Sequence, residues 1–288
     1  MDYLHLGIPS SLSALYTHDV VGSLSATRRL LAVWCLMSTL EWVRNLDLFK
    51  HDGLLSWRIL SLRPGWIFHG DGVRSLFWAR STTGVLAIRM VAAVTLLASN
   101  DPCLLCIALV VIVATSWFLT IRTWLGEDGS DQMGQIVAIG SLLISAGIFF
   151  DQLALSFAGT LLIAGQLTIS YFFAGFAKLR SPEWRRGQAL VGVMGTHSYG
   201  HSFGARISSG SAAFGTAFCW LVILGESMFP LVIFAPQTAL LIVLAAFLLF
   251  HLANALFMGL NTFVWPFLAA YPSVIVLNNL ITHSIGLR

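Results

Sequence analysis

The sequence carries few charged residues. Lysine, arginine, aspartate and glutamate make up 10% of its 288 residues, whereas an average soluble domain contains about 25%. So little charge cannot cover the surface of a 31.4 kDa globule, which argues against a water-soluble enzyme, a disordered chain and a nucleic-acid-binding protein. Because 57% of the residues are apolar, we predict an integral membrane protein that crosses the lipid bilayer several times.

Cysteines are few, and we expect no cleavable leader sequence. The chain has four cysteines, too few for a disulfide framework. Residues 1–26 lack the charged start and the apolar run of a cleavable signal peptide, so we expect the first membrane-spanning helix to direct insertion. No segment alternates apolar and polar residues as a transmembrane β-barrel would. With a β-barrel excluded, we predict a bundle of α-helices, because helices satisfy their own backbone hydrogen bonds in lipid.

Long apolar runs predict seven or eight membrane spans, since about 20 mostly apolar residues are needed to cross a bilayer. The predicted spans cover residues 30–46, 84–98, 103–120, 135–149, 153–177, 211–235, 238–264 and, more weakly, 267–281. We find no internal repeat. The predicted fold is therefore all-α, with one transmembrane domain over residues 1–288.

Two loops between the predicted spans are long, at residues 47–83 and 178–210. Both contain tryptophans among basic residues, namely Trp57, Trp66, Trp78 and Trp184. Tryptophan beside arginine or lysine is typical of the lipid headgroup layer. We therefore predict interfacial helices in both loops, which together could cover a site.

Several polar residues fall within the predicted spans, where a charged side chain costs about 2.5–3.5 kcal/mol on insertion. They are Glu41, Arg44, Arg89, Gln166, Glu226, His251, Asn254 and Asn261. Glu41 and Arg44 are near neighbours on one helix and either neutralise each other or mark a functional cavity. Glu226 shortly precedes Pro230, which breaks the helix, and is either a polar anchor or the partner of an arginine such as Arg89.

His251 and Lys178 each have a structural and a chemical interpretation. His251 shares a helical face with Asn254, and the two either join helices by hydrogen bonds or place a proton-transferring histidine in a cavity. Lys178 ends the fifth predicted span. It either extends its amine to the membrane interface or acts as a base in apolar surroundings. The pattern leaves both pairs of alternatives open.

A Cys-x-x-Cys pair opens the third predicted span. Asp101 is a good N-cap and Pro102 a good first helical residue, which places Cys103 in the first turn, where the helix dipole favours a thiolate. Cys103 and Cys106 resemble, over a few residues, the membrane dithiol of vitamin K epoxide reductases. The alternative is a pair of small apolar side chains. A metal site needs more ligands than these, and we predict no metal.

A more specific resemblance begins at Gln166. Residues 166–187 have the sequence QLTISYFFAGFAKLRSPEWRRG, which resembles the central segment of vitamin K-dependent γ-glutamyl carboxylase and its bacterial relatives, the horizontally transferred transmembrane (HTTM) family. Residues 226–230 and 250–266 fit later helices of that family. Residues 126–132, GEDGSDQ, resemble a loop of HTTM proteins from bacterial antimicrobial-peptide operons, such as the sporulation-delaying system. The resemblance is clearest over residues 126–272.

The resemblance implies an activity and a site. In the carboxylase a lysine deprotonates reduced vitamin K, whose reaction with oxygen provides the base that removes a γ-proton from glutamate, and carbon dioxide then adds. Lys178 matches that lysine, and His251 matches a histidine of a later helix. The implied cofactor is a reduced, vitamin K-like quinone, used with oxygen and carbon dioxide. The residues expected at the site are Lys178, His251 and Glu226 as catalytic groups, with Gln166, Tyr171, Trp184 and Asn254 as substrate-binding groups.

The sequence departs from the carboxylase in two ways. The family's histidine in the loop before the fourth span has no counterpart here. The chain ends at Arg288, so we expect the large extramembrane domain that engages substrate peptide to be missing. The favoured hypothesis is therefore a quinone-dependent membrane enzyme that abstracts a proton from a peptide or another substrate.

Two other functions stay open. One is a non-enzymatic membrane partner in the maturation, export or immunity of a small secreted antimicrobial peptide, for which the acidic loop at residues 127–131 is the motivation. The other is a thiol–quinone oxidoreductase that uses Cys103 and Cys106. Under each hypothesis we expect a multi-pass protein of a bacterial cell membrane, with the lipid bilayer as partner and no nucleic acid.

Overall fold

The computed structural model describes residues 10–62, 79–123, 128–201, 204–206 and 210–286. Over these residues the secondary structure is helical and contains no strand. The described α-helices are α1 Ser10–Arg44, α2 Trp57–Leu60, α3 Ala79–Ala98, α4 Pro102–Arg122, α5 Gly129–Phe149, α6 Leu153–Arg180, α7 Pro182–Arg185, α8 Gln188–Met194, α9 Ala212–Met228, α10 Gln237–Met258 and α11 Asn261–Ser284. The prediction of an all-α fold is confirmed.

Eight stretches in the described part of the chain are long and apolar enough to cross a membrane. They are Asp19–Arg44, Ser81–Ala98, Pro102–Arg122, Gly129–Phe149, Leu153–Arg180, Ala212–Phe234, Gln237–Met258 and Asn261–Ser284. The prediction of seven or eight spans is confirmed. The chain is an integral, multi-pass membrane protein.

The predicted boundary between the last two spans is wrong. The sequence predicted a seventh span through residue 264, but α10 ends at Met258, because Gly259 follows it with a left-handed φ of 71°. Glycine adopts this conformation without steric cost and commonly ends helices. Helix α11 then begins at Asn261.

Contacts divide the chain into two compact units. One unit is Leu24–Gly159, and the other consists of Met1–Ser23 and Thr160–Arg288. Both boundaries fall within long helices, α1 and α6. The assignment of residues 1–288 to a single domain stays a prediction.

Acidic caps start two helices of the Leu24–Gly159 unit. The Asp101 carboxylate accepts a hydrogen bond from the backbone N–H of Leu104 at 2.8 Å, at the start of α4. The Asp128 carboxylate accepts from the N–H of Ser130 at 2.8 Å, at the start of α5. Such caps satisfy backbone N–H groups that have no partner within the helix. The N-cap predicted at Asp101 is confirmed.

Arg89 is buried in this unit and is held by neutral groups. Its guanidinium donates to the hydroxyls of Thr115 and Ser116, and it lies 5.0 Å from the ring centroid of Trp34. Among the described residues, hydrogen bonds to neutral groups and an aromatic face compensate the charge, and no carboxylate forms an ion pair with it. Arg89 is therefore not the partner of Glu226.

Three further charged residues of this unit, Glu41, Arg44 and Arg122, differ in how deeply they are buried. Glu41 and Arg44 are both exposed and form no ion pair with each other in the described part of the chain. Arg122, at the end of α4, is fully buried and lies 4.8 Å from the ring centroid of Phe49. Among the described residues, no group hydrogen-bonds to its guanidinium nitrogens, so the aromatic face is its main compensation.

In the second unit, the sixth span is broken after α9. Residues Phe229–Phe234 form a 3-10 helix, which leaves backbone carbonyls without helical partners. Nδ2 of the buried Asn278, on α11, donates to the carbonyls of Val232, Ile233 and Ala235 at 2.8–3.1 Å. The helix break predicted for this span is confirmed.

Short helices lie in both long loops, as predicted. The first loop contains the 3-10 helix Leu46–Phe49 and α2, which begins at Trp57. The second contains α7, which includes Trp184, and α8. Four other loop residues named above lie outside the described residues, namely Trp66, Trp78, Gly126 and Glu127.

Candidate functional site

Lys178 and Glu226 form an ion pair within the second unit. Lys178 lies in the last turn of α6 and Glu226 near the end of α9, with Nζ 2.7 Å from Oε2. The Glu226 side chain is 5% exposed and that of Lys178 is 21% exposed. In such surroundings the carboxylate depends on the ammonium group to compensate its charge. The amine also lies 5.2 Å from the ring centroid of Trp184, within cation–π distance.

Gly175 lets α6 and α9 approach each other at this ion pair. A Cβ built on Gly175 would lie 2.6 Å from Oγ of Ser227 and 2.9 Å from the carbonyl carbon of Glu226, so any side chain there would collide. Gly175 and Lys178 are three residues apart and share one face of the helix. The close backbone contact therefore brings Lys178 opposite Glu226.

Tyr171 and His251 form a second buried pair. Tyr171 lies two turns before Lys178 on α6, and its Oη is 2.8 Å from Nε2 of His251 on α10. The rings of Phe229 and Phe247 pack against Tyr171, with centroids 4.5 and 4.4 Å away. Nδ1 of His251 has no hydrogen-bond partner in the part of the chain that the structure describes. Aromatic packing thus fixes the pair while one imidazole nitrogen stays unpaired.

Both pairs line one cavity of about 540 Å³. Most of its lining is apolar, with phenylalanines from α9, α10 and α11. The side chains that bring polar atoms to it are Ser170, Tyr171, Lys178, Trp184, Glu226, His251 and Asn254. A cavity of this volume with a few convergent polar groups is typical of small-molecule sites, which span about 300–1,000 Å³.

Helix α8 contributes one wall of the cavity. Its lining residues are Ala189, Leu190, Val193 and Met194. The segment before α8 is held against α9, since the indole N–H of Trp220 donates to the carbonyl of Arg185 at 3.2 Å. Gly187, the N-cap of α8, has a left-handed φ of 74°, and a Cβ there would lie 2.5 Å from Oγ1 of Thr216. Glycine is required at this turn for both reasons.

The turn between α6 and α7 positions Trp184. Ser181 is the N-cap of α7, and its hydroxyl accepts from the backbone N–H of Trp184 at 3.4 Å. The same hydroxyl donates to Oε2 of Glu183 at 2.7 Å. This hydrogen bond lowers the pKa of the exposed Glu183 carboxyl, so Glu183 stays an anion at neutral pH.

The structure brings most of the predicted site residues together. Six of the seven residues predicted for catalysis and substrate binding line the cavity, namely Lys178, Glu226, His251, Tyr171, Trp184 and Asn254. Gln166 does not line it, but its side-chain amide donates to Oγ of Ser170 at 3.1 Å, and Ser170 does line it. The roles of these residues in catalysis and binding stay predictions.

The Cys-x-x-Cys pair belongs to the Leu24–Gly159 unit. Cys103 is exposed and Cys106 is half-buried, and both are free thiols. Neither lines the cavity of the second unit. Redox chemistry at this pair stays a prediction that is independent of Lys178.

Ser170 and the α8 wall are not predicted from the sequence. A serine within a span carries no charge to distinguish it, and its place beside Tyr171 gave no indication of a cavity. The α8 residues form a short apolar run after Gly187. That run could have been recognised as a helix with an apolar face, but not as a wall of a particular cavity.

The cavity residues fit an aromatic ring that carries hydroxyl groups. Lys178 and Glu226 provide a hydrogen-bond donor and acceptor, and Nδ1 of His251 is buried and unpaired among the described residues. Phe250 and Phe263 provide flat apolar surface. A reduced quinone has this shape and these polar groups, so the residues fit the cofactor that the resemblance implies.

No protein-family model, curated protein or solved structure matches the chain. Its class follows from its own helices, which make it an integral multi-pass membrane protein. Within its second unit, an ion pair and a Tyr–His pair line a mainly apolar cavity.

Tyr171→Phe is expected to lower the free energy of unfolding by about 1–3 kcal/mol, the cost of a buried polar group without a partner. The ring packing is kept, but Nε2 of His251 loses its hydrogen bond. Unfolding by SDS in mixed micelles measures the loss. Tyr199→Phe is the control, because Tyr199 is 48% exposed and its change should stay within about 0.5 kcal/mol. Equal effects of the two substitutions would contradict the assigned hydrogen bond.

Proposed function

We propose that this protein is a membrane enzyme of the HTTM type, in which Lys178 deprotonates a reduced quinone and its oxygenation is coupled to proton abstraction from a second substrate. The observation that carries the proposal is the Lys178–Glu226 ion pair, 2.7 Å long, at the wall of a mainly apolar cavity. Charged groups are costly within a membrane span and usually serve a function there. A titratable pair in a cleft is accordingly a candidate catalytic group.

Lys178 can accept and release a proton at Nζ. In the ion pair Nζ is an ammonium group, so Lys178 becomes a base only after that group has released its proton. The neutral amine can then take a proton from a hydroxyl group placed beside it. The ammonium group that forms is stabilised by Oε2 of Glu226 at 2.7 Å. Glu226 therefore favours the product of the proton transfer, and the apolar lining limits competition from water.

His251 and Tyr171 provide the second polar pair of the cavity. The 2.8 Å hydrogen bond fixes the imidazole through Nε2. An imidazole held in this way can orient a hydroxyl or carbonyl group and exchange a proton with it. Asn254 lines the same cavity and can donate or accept a hydrogen bond.

A bound reduced quinone would supply the redox chemistry with oxygen that none of these side chains can perform. The resemblance of residues 166–187 to γ-glutamyl carboxylase supports this assignment. The likeness of residues 126–132 to HTTM proteins of antimicrobial-peptide operons supports a small secreted peptide as second substrate, in a bacterial cell membrane. Carbon dioxide would be a further co-substrate if the reaction follows the carboxylase.

The decisive experiment uses Lys178→Arg in protein reconstituted into nanodiscs. Arginine keeps the positive charge beside Glu226 but does not release its proton in proteins. We expect oxygen consumption with a reduced 1,4-naphthoquinone to fall by about 10²–10⁴-fold, the usual contribution of a general base. A Clark electrode measures the rate, and empty nanodiscs give the background.

Lys50→Arg is the matched control, since Lys50 is the other lysine of the chain and its side chain is 69% exposed. This variant should consume oxygen at the wild-type rate. Unfolding curves of both variants establish that the fold is intact. Unchanged oxygen consumption in a folded Lys178→Arg variant would overturn the proposed role of Lys178.

A further inference from the structure

The outer face of α6 carries a row of exposed side chains that ends in a cation. Phe172, Phe176 and Arg180 follow one another at four-residue spacing and so share one face of the helix. The rings of Phe172 and Phe176 are stacked, with centroids 6.2 Å apart and planes 10° from parallel. The guanidinium carbon of Arg180 lies 5.6 Å from the ring centroid of Phe176, within cation–π distance. We call these three residues the Phe–Arg stripe.

The stripe faces away from the cavity. Four α6 residues line the cavity, namely Ser170, Tyr171, Ala174 and Lys178. Residues two positions apart on a helix point about 200° apart, so Phe172 and Phe176 lie on the side of α6 opposite Ala174. They are 40% and 41% exposed, and the neighbouring Phe173 is 61% exposed. Apolar side chains exposed on a membrane span contact lipid tails.

Helix α6 is longer than the hydrocarbon core of a bilayer. Its 28 residues extend for about 42 Å at 1.5 Å per residue, whereas the core is about 30 Å thick. Arg180 ends both the helix and the membrane-compatible stretch, so its guanidinium lies at the level of the lipid headgroups. Phe172 is about 12 Å deeper along the helix and lies among the acyl chains.

Two further arginines follow Arg180 at the same end of the helix. Arg185 ends α7 and Arg186 follows it, and both are exposed. In the described part of the chain, none of the three guanidinium groups forms an ion pair. Glu183 is the one carboxylate between residues 179 and 187, and it accepts a hydrogen bond from the Ser181 hydroxyl. Three cations against one carboxylate give this surface a positive charge, which attracts anionic headgroups.

We infer that the Phe–Arg stripe binds an anionic phospholipid, whose acyl chain lies along Phe172 and Phe176 and whose phosphate binds Arg180. The guanidinium group matches phosphate oxygens with two parallel hydrogen bonds, and Arg185 and Arg186 add to the attraction. The phenylalanines alone would accept the tail of any lipid, so the arginines confer the preference for negative charge. The stripe lies on the opposite side of α6 from the cavity, and the inference is independent of the proposed function.

The test compares two lipids on the intact protein. Native mass spectrometry from dodecyl maltoside measures the affinity for the first bound molecule of dioleoyl phosphatidylglycerol, which is anionic, and of dioleoyl phosphatidylcholine, which has the same tails and no net charge. We expect the wild type to bind phosphatidylglycerol about tenfold more tightly or better, since each basic residue near the headgroups contributes about fivefold. Equal affinities for the two lipids would overturn the inference.

Substitution of Arg180 shows whether the stripe causes this preference. Arg180→Gln should lower the affinity for phosphatidylglycerol about fivefold and leave that for phosphatidylcholine unchanged, whereas Arg180→Lys should lose less because it keeps the charge. Arg44→Gln is the matched control: Arg44 is also exposed and ends a span, but the exposed Glu41 lies one turn before it, and both affinities should stay at the wild-type value. Equal losses in Arg180→Gln and Arg44→Gln, or no loss in Arg180→Gln, would overturn the inference.

A photolabel locates the acyl chain. In nanodiscs of phosphatidylcholine, phosphatidylglycerol with a diazirine in its acyl chain should label peptides that contain Phe172 or Phe176, and unlabelled phosphatidylglycerol should remove this labelling. Labelling that added phosphatidylcholine removes equally well would overturn the inference. A disulfide-linked dimer of a Phe173→Cys variant that the wild type does not form would show that a second copy of the chain covers the stripe, and would overturn it too.

Discussion

Lys178→Met is expected to lower the free energy of unfolding by about 3–5 kcal/mol, the cost of removing one partner of a buried ion pair. The substitution leaves the Glu226 carboxylate, 5% exposed, without the ammonium group that lies 2.7 Å away. Methionine is unbranched and adaptable, so the loss reports the missing charge rather than an empty space. Unfolding is followed by circular dichroism as SDS is added to the protein in dodecyl maltoside micelles.

Glu226→Gln is expected to cost less than Lys178→Met. The Lys178 side chain is 21% exposed, so its amine can find other hydrogen-bond acceptors once the carboxylate is gone. The double variant should regain most of the loss, because no unpaired charge remains, and the double-mutant cycle then gives the coupling between the two residues. Additive losses in the double variant would contradict the assignment of a buried ion pair.

Gly175→Ala is expected to lower the free energy of unfolding by about 1–3 kcal/mol, as is usual for overpacking. The new methyl group would lie 2.6 Å from Oγ of Ser227 and close to the Glu226 backbone, which must move away. Under the proposed function, oxygen consumption with the reduced quinone should fall as well, since this contact brings Lys178 opposite Glu226. The same SDS titration and the same electrode measure both effects.

Gly165→Ala provides the control on the same helix. A Cβ at Gly165 meets no atom within 4 Å, and alanine favours the helix over glycine by about 0.5–1 kcal/mol. The two substitutions should therefore change stability in opposite directions. If Gly175→Ala stabilised the protein as Gly165→Ala does, the close approach of α6 and α9 at Gly175 would be wrong.

The spans could be predicted because membrane-crossing segments must be apolar, but their ends depend on contacts that the sequence does not reveal. The first span was predicted from residue 30, whereas α1 starts at Ser10 and its membrane-compatible part at Asp19. Asp19 accepts a hydrogen bond from Asn279 at 3.0 Å, and the buried Arg28 donates to the carbonyl of Leu96. A hydropathy pattern treats such residues as breaks because it contains no information about distant partners.

Part of the candidate site could be predicted, because charged residues are rare in membrane spans and the few that occur there are easily recognised. Lys178 and Glu226 were recognised for this reason, and His251 by its helical spacing from Asn254. Their pairing was not predictable, because Glu226 could equally have paired with Arg89, and the choice depends on how the helices pack. Ser170, an ordinary uncharged residue of a span, could not be recognised before the fold brought it to the cavity.

The borders between the two compact units lie within α1 and α6 and not in loops. A break in the chain at either border would expose backbone N–H and C=O groups inside the bilayer, where each unsatisfied group costs several kcal/mol. Neither unit can therefore be excised intact by proteolysis or moved alone by recombination. A cut at either border therefore cannot separate the cavity with its ion pair from the region with the buried arginines without exposing backbone polar groups to lipid.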